Sequence, residues 1–214
     1  MKEMKVFDLS HEITRSMTVY SEKERPNFNK VSSIEEAGYN ETNINIYSHN
    51  GTHMDSPYHI FKEGKKLSEF PVENFLGNAF ILDVTKNKEN EITLEFLKLY
   101  QEEIKKSEFL ILKTGWEKYW NNEKYFNDFP VLSEEAALWL SMLNIKGIGV
   151  DTISVDKVHS KDFNIHKILL SKEKIIIENL TNLNNLYGKF MFIATPLNFK
   201  ESDGCPVRAI GIFK

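Results

Sequence analysis

Short apolar runs, four to seven residues long, alternate with polar stretches along this chain and predict more strands than helices. Strands are expected at residues 6–9, 28–34, 43–48, 78–84, 109–113, 147–151, 174–178, 190–195 and 207–213. Within 43–48, Ile44 and Ile46 alternate with polar neighbours, which predicts one buried face. The run at 174–178 holds Ile175, Ile176 and Ile177 and ends in Glu178, and Pro196 stops the strand before it. Helical spacing is confined to three segments. Leu94, Leu97, Tyr100 and Ile104 form one stripe over 93–106, with Thr93 as its cap. Ala137, Leu140 and Leu143 do the same over 133–144, and a short helix capped by Asp162 fits 162–170. Residues 116–129 predict a broken helix and loop. Residues 14–29, interrupted at Arg25-Pro26, form an irregular connection long enough to carry function. No repeat, low-complexity tract or linker divides the chain. The expectation is one α/β domain over residues 1–214, its strands and helices mixed without a regular βαβ rhythm.

The stretch at residues 47–61, YSHNGTHMDSPYHIF, breaks this pattern and concentrates the candidate chemistry. His49, Gly51, His53, Asp55, Pro57 and His59 all fall on odd positions, so an extended chain, continuing the strand at 43–48, puts them on one face. Extension alone cannot build a site, because the Cα atoms of His49 and His53 would then lie roughly 13 Å apart. Two imidazoles on one zinc need their nitrogens within about 3–4 Å of each other. The chain must bend, and Gly51 is the residue that permits it. Asn50-Gly51 and Pro57 argue against a helix that would pair His49 with His53. Imidazole and carboxylate together suit zinc, manganese or iron. The alternative is a polar loop with surface histidines; three of the six histidines within eleven residues favour ligands.

Other candidates are weaker on their own. His166 lies on the short helix, and Glu178 is delivered to the end of an apolar strand, where open sheets present ligands. Taken alone, each reads better as a solvated histidine or a strand-end acid facing water. Asp151, Asp156 and His159 read as turn, cap or surface residues, and His11 as a hydrogen-bonded structural residue. Cys205 lies in the turn-like segment SDGCPV and lacks a visible partner base. There is no G-x-S-x-G elbow, P-loop, G-x-G-x-x-G or H-E-x-x-H.

Composition narrows the picture further. The chain has 214 residues, is 41% apolar and carries a net charge of −4, without a basic cluster, so no nucleic-acid partner is expected. No apolar run approaches the roughly 20 residues that span a bilayer, and no signal peptide is evident, so no membrane partner is expected. The single cysteine excludes an intramolecular disulfide and fits a cytoplasmic location.

Residues 49–59, HNGTHMDSPYH, resemble the H-x-G-T-H-x-D-x-P-x-H motif of the metal-dependent cyclase family, which includes bacterial kynurenine formamidases and isatin hydrolases. The likeness extends to Asp8-Leu9-Ser10-His11, Gly64-Lys65, Phe75-Leu76-Gly77, Gly149-Val150-Asp151-Thr152, His166 with Glu178 twelve positions on, Asn179-Leu180, Asp203-Gly204 and Pro206-Val207-Arg208. The resemblance implies a single α/β domain with a β-barrel-like core, of the swivelling β/β/α type, assembled as a homo-oligomer (dimer or tetramer). It implies two divalent metal ions, zinc first and manganese as the alternative. His49, His53 and Asp55 would hold the first ion. Asp55 would bridge to the second, completed by His166 and Glu178, and His59 would be the catalytic acid/base.

The implied activity is hydrolysis of a small-molecule amide by metal-activated water, such as the N-formyl aryl amine N-formylkynurenine of tryptophan catabolism. Alternatives are ring opening of a cyclic amide or imide, and a non-catalytic metal-binding relative. Tyr20, Phe28, Tyr58 and Phe61 are candidates to flank an aryl substrate or to be core residues. The family segment Pro-Val-Trp/Tyr-Pro-Gly-Asp, which helps shape the substrate pocket in relatives, reads MTVYSEKE at residues 17–24, without the Pro-Gly turn.

Overall fold

Alternation within the central strands sets the layering of the molecule. In the computed structural model, which describes residues 4–87 and 90–213, the strands in chain order are β1 (Lys5–Asp8), β2 (Asn27–Ser32), β3 (Glu41–Asn45), β4 (His53–Asp55), β5 (Leu76–Asp83), β6 (Glu91–Ile92), β7 (Phe109–Lys113), β8 (Val131–Leu132), β9 (Gly147–Val150), β10 (Ile175–Glu178), β11 (Lys189–Thr195), β12 (Gly204–Pro206) and β13 (Arg208–Phe213). Nine of them form one mixed sheet in the order β1-β13-β11-β5-β7-β9-β10-β4-β12. It curls as a half-barrel, giving a single α/β domain. The helices are α1 (Ile34–Ala37), α2 (Leu94–Lys98), α3 (Gln101–Lys105), α4 (Glu134–Ser141) and α5 (Asn164–Leu170).

β5, β7, β9 and β10 are parallel neighbours, joined by crossovers that carry α2 and α3, then α4, then α5. A βαβ rhythm therefore does run from Leu76 to Glu178, against expectation. Short helices and irregular links blur its period in the sequence.

Successive side chains on these strands enter different cores. Ile81, Phe109, Ile111, Ile175 and Ile177 join Leu9, Met54 and Phe192 on one side. Phe80, Leu82, Leu110, Leu112 and Ile176 join Leu97, Ala137, Leu140 and Leu169 beneath the helices on the other. On β10, Glu178 follows the phase of Ile176, so its carboxylate belongs to the helix side. On β4, Met54 enters the first core, which turns His53 and Asp55 to that same helix side.

Several local expectations are corrected. β3 ends at Asn45 and does not run into the histidine stretch. Asn50 accepts a hydrogen bond from the Tyr47 N–H and closes a turn, and Gly51 bends with φ +63°. The expected buried face of β3 is exposed throughout, Ile44 included, because β2 and β3 pair only with each other in a two-stranded ribbon. The helix over 93–106 is broken into α2 and α3, since Leu99 and Tyr100 donate to carbonyls three residues back and tighten the turn. Thr93 does cap the first, accepting from the Phe96 N–H. Residues 204–206, read as a turn, form a strand that pairs with β4 and buries Cys205.

His11 packs behind the histidine stretch, with its ring stacked on Trp120 at 4.0 Å. Its backbone N–H donates to Thr52 Oγ1, and its buried Nε2 has no hydrogen-bond partner among the described residues. Burial lowers its pKa from 6.5 to about 4. The folded state therefore holds the neutral ring, while the unfolded chain takes up a proton below about pH 6.5. Stability is full above that pH and is lost as pH falls towards 4. We expect wild type to lose more stability between pH 7 and 4.5 than His11→Phe does, by on the order of 2–3 kcal/mol in denaturant titrations. Equal losses would remove His11 from the acid response.

Candidate metal centre

The bend at Gly51 and the register of β4 bring distant residues to one point. His53 sits opposite Glu178 across the β4–β10 pair, and α5 delivers His166 from the helix side. His53 Nε2 lies 3.3 Å from Asp55 Oδ1 and 3.4 Å from Glu178 Oε2. His166 Nε2 lies 3.4 Å from Glu178 Oε1 and 3.7 Å from Asp55 Oδ2. His53, Asp55, His166 and Glu178 are all buried. The ring of His49 lies edge-on to that of His53, with centroids 5.0 Å apart. Gly204 makes room for His49, because a Cβ there would meet its Cε1 at 2.5 Å.

Three groups result among the described residues, each with potential ligand atoms within 4.8 Å of one another: His49, His59 and Asp203; His49, His53 and Asp55; and Asp55, His166 and Glu178. Asp55 belongs to the last two. Its Oδ1 faces His49 Nδ1 at 2.8 Å, and its Oδ2, fully buried, makes no hydrogen bond among the described residues and meets His166 Nε2 only at 3.7 Å. A buried carboxylate oxygen without a partner is costly, and a cation is the group that would satisfy it. Tetrahedral ligation at about 2.0–2.1 Å puts ligand atoms roughly 3.4 Å apart, close to the separations seen around Asp55 and Glu178. The residues present therefore fit a divalent ion.

Charge in the cluster follows from proximity. Burial opposes a proton on His53, but Asp55 and Glu178 beside it raise its pKa to about 10. Burial likewise opposes charge on His49, yet Asp203 and Asp55 raise it to about 9. His166 stands well above its ordinary value against burial, held there by Asp156, Asp55 and Glu178. Burial would raise Asp55, and the surrounding histidines bring it well below the usual carboxylate range.

Hydrogen bonds choose the free nitrogen of two imidazoles. His53 Nδ1 donates to the Gly51 carbonyl at 2.9 Å, leaving Nε2 to face Asp55 and Glu178. That carbonyl also accepts from Asn179 Nδ2 at 2.8 Å, and Tyr125 Oη donates to Asn179 Oδ1. His166 Nδ1 is 2.7 Å from Asp156 Oδ2, leaving its Nε2 for the cluster. Such partners orient ligating histidines. Both nitrogens of His49 face carboxylates, Asp55 and Asp203.

His59 stands beside the cluster on a single 3-10 turn, Pro57–His59, that begins with the proline. It is part-exposed, its ring centroid is 4.1 Å from that of His49, and its Nδ1 lies 3.7 Å from Asp203 Oδ2. The cluster floors a cavity of about 230 Å³ whose walls include Tyr20, Tyr47, Ile153 and Phe163. Tyr20 alone of the four candidate aromatics lines it.

The family described as "Putative cyclase" matches residues 7–157 of this sequence. The chain belongs to the cyclase family. It is 29% identical over 211 residues to a kynurenine formamidase of Bacillus cytotoxicus and 30% identical over 211 residues to one of Bacillus thuringiensis strain Al Hakam, with 98% of each chain covered in both cases. Its fold is similar to that of isatin hydrolase A from Ralstonia solanacearum, with a TM-score of 0.85 at 20% identity, covering 99% of this chain and 92% of that one.

In this cyclase-family chain the six residues singled out from the sequence converge on one place. The residues missed are their supports. Asp156, read as structural, accepts from the N–H groups of Ile165 and His166 as well as the His166 ring. It does the capping assigned to Asp162, which is exposed, while Phe163 takes the cap position in a left-handed conformation. No local spacing could have shown this, because Asp156 and His166 meet only through the loop between them. Asp203 had a signal only in the family's Asp-Gly pair. Asn179 had one in its place directly after a strand-end acid, where φ is +58°. Asp151 lies outside the cluster. It accepts from the Thr114 and Trp116 N–H groups and anchors the loop after β7.

Proposed function

We propose that this protein hydrolyses N-formyl aryl amines, with N-formylkynurenine as the substrate of reference, and so serves tryptophan catabolism. As a cyclase-family member with full-length kynurenine formamidase relatives, the chain is a metal-dependent amide hydrolase acting on carbon–nitrogen bonds other than peptide bonds. The observation that carries the narrower reading is that His49, His53, His166 and Glu178, gathered about the buried Asp55, line the same small cavity as Tyr20, Tyr47 and Phe163. About 230 Å³ falls below the usual range for drug-sized ligands and suits a compact aryl amide.

On this reading His49, His53 and Asp55 hold one divalent ion, and Asp55, His166 and Glu178 a second. Zinc is the first candidate and manganese the alternative, since only imidazole and carboxylate are offered. Bound there, such ions polarise an amide carbonyl and bring the pKa of water towards 7. The chain's own residues do the rest. Tyr20, Tyr47 and Phe163 hold the aryl ring beside the cluster. His59, with Nδ1 turned to Asp203, uses Nε2 to pass a proton to the departing aryl amine. The carbonyl carbon gains an oxygen from water and loses its bond to nitrogen, so formate and the free amine leave.

We further propose that residues 1–214 act as one hydrolase domain, in the cytoplasm, as a homo-oligomer. Exposed Val31, Ile44, Leu197 and Phe199 support assembly. Among the described residues no helix is long and apolar enough to cross a membrane.

Elemental analysis combined with turnover tests the reading. Purified protein is expected to carry divalent metal, to lose at least about 10³-fold of its N-formylkynurenine turnover on chelation, and to regain it with zinc or manganese. Ring opening of isatin in place of formamide cleavage would shift the assignment to cyclic amides. Hydrolysis of no amide by reloaded protein would favour a non-catalytic relative.

A further inference from the structure

Residues 17–24, where the family's Pro-Gly turn is missing, contribute Tyr20 and Glu24 to the cavity lining, and Glu24 brings a charge there. Tyr20 Oη donates to the Val158 carbonyl at 3.1 Å, tying the segment to the loop before α5. The single 3-10 turn Glu22–Glu24 follows. Its first acid is neutralised: Glu22 takes a two-pronged ion pair from Arg25 at 2.5 and 2.6 Å. Lys23 lines a different groove. Glu24 lines the cavity that holds the histidine cluster. It is half-buried, and its carboxylate makes no hydrogen bond or ion pair within the described residues. Setting aside the histidines and Glu178 at the floor, the lining is Tyr20, Tyr47, Ile153, Ser154, Phe163 and Glu24. Five of these are neutral and one is an unpaired anion.

We infer that Glu24 is a specificity-determining residue that selects aryl amides carrying a protonated amine away from the scissile bond. The inference rests on the amide hydrolase reading and narrows it. A carboxylate without an internal partner is free to accept a charged hydrogen bond from an ammonium group, and such bonds are about twice as strong as neutral ones. Tyr20, Tyr47 and Phe163 line the same cavity, and aromatic rings favour a cation for a second reason, the negative charge of their faces. The same carboxylate repels an anion placed there. A substrate with an amino-acid side chain would present its ammonium to Glu24 while its formamide meets the cluster.

The test compares two formamides in metal-loaded enzyme: N-formylkynurenine and its deaminated analogue, which keeps the formanilide and the carboxylate but lacks the ammonium. Wild type is expected to show a KM about tenfold lower for the first. In Glu24→Gln that ratio falls to near one, and in Glu24→Lys it inverts. A ratio that stays the same across the three proteins would overturn the inference. Equilibrium binding of kynurenine and its deaminated analogue gives a readout independent of turnover. A preference for the ammonium in wild type that disappears in Glu24→Gln supports the role of Glu24 even if neither formamide is cleaved, in which case only the hydrolase reading falls. No preference in wild-type binding overturns the inference even if turnover is brisk. A thermal melt of each variant checks that it is folded.

Discussion

Asp55→Ala is expected to abolish metal retention and to lower kcat/KM at least about 10³-fold, the equivalent of roughly 4 kcal/mol of transition-state stabilisation. The reason is its double position. Asp55 joins the group of His49 and His53 to the group of His166 and Glu178, its two oxygens face different histidines, and it carries the buried negative charge around which His49, His53 and His166 gather. Removing any other candidate ligand leaves one group intact, whereas removing Asp55 leaves neither. The loss should exceed that in Glu178→Ala, which keeps His49, His53 and Asp55. Metal content per chain after dialysis, measured beside turnover, checks this. Two ions still bound in Asp55→Ala would sink the shared-ligand assignment.

His59→Ala should behave in the opposite way, keeping its metal and losing about 10²–10⁴-fold in kcat, the range typical of a lost general acid or base. His59 is part-exposed on a 3-10 turn at the side of the cavity, and it groups with His49 and Asp203 but with neither set that contains Asp55, so its removal leaves those ligands in place. If it delivers the proton to the leaving amine, the defect should shrink for formamides of weakly basic amines such as nitroanilines, whose departure needs less help. A uniform defect across leaving groups would point to a positioning role, and full activity would remove His59 from the mechanism. Metal content and kcat on a graded series of formanilides decide between these outcomes.

Legibility in the sequence followed the range of the interactions. The bend at Gly51 could be foreseen because it is local: an Asn-Gly pair between two histidines that must meet has few other solutions. The strand at 175–178 was visible from its own β-branched run, and the cap at Thr93 from its own side chain. The ribbon of β2 and β3 misled. The alternation of Ile44 and Ile46 is real, yet periodicity reports only that a face is apolar. What covers that face is decided elsewhere, and among the described residues nothing covers Ile44. The strand at 204–206 was hidden for a related reason. Gly204 and Pro206 are poor strand formers, and they pair only because β4 offers them an open edge, opposite Asp55 and His53.

The site shows the same division. The sequence by itself determined the donor set: imidazoles and carboxylates in one stretch, no thiolate ligands, a glycine where the chain must turn, and an acid at the end of an apolar strand. Ligand chemistry is a property of residue types, so it can be read without coordinates. Only the tertiary structure decided which donors share a point. The alternation of β4 and β10 turns His53, Asp55 and Glu178 to the helix side. The antiparallel register sets Glu178 opposite His53, and α5 supplies His166 with Asp156 fixing its ring. Those facts depend on strand pairing between segments more than a hundred residues apart. Pairing of that kind is specified by the whole buried pattern of a sheet, and no local spacing contains it.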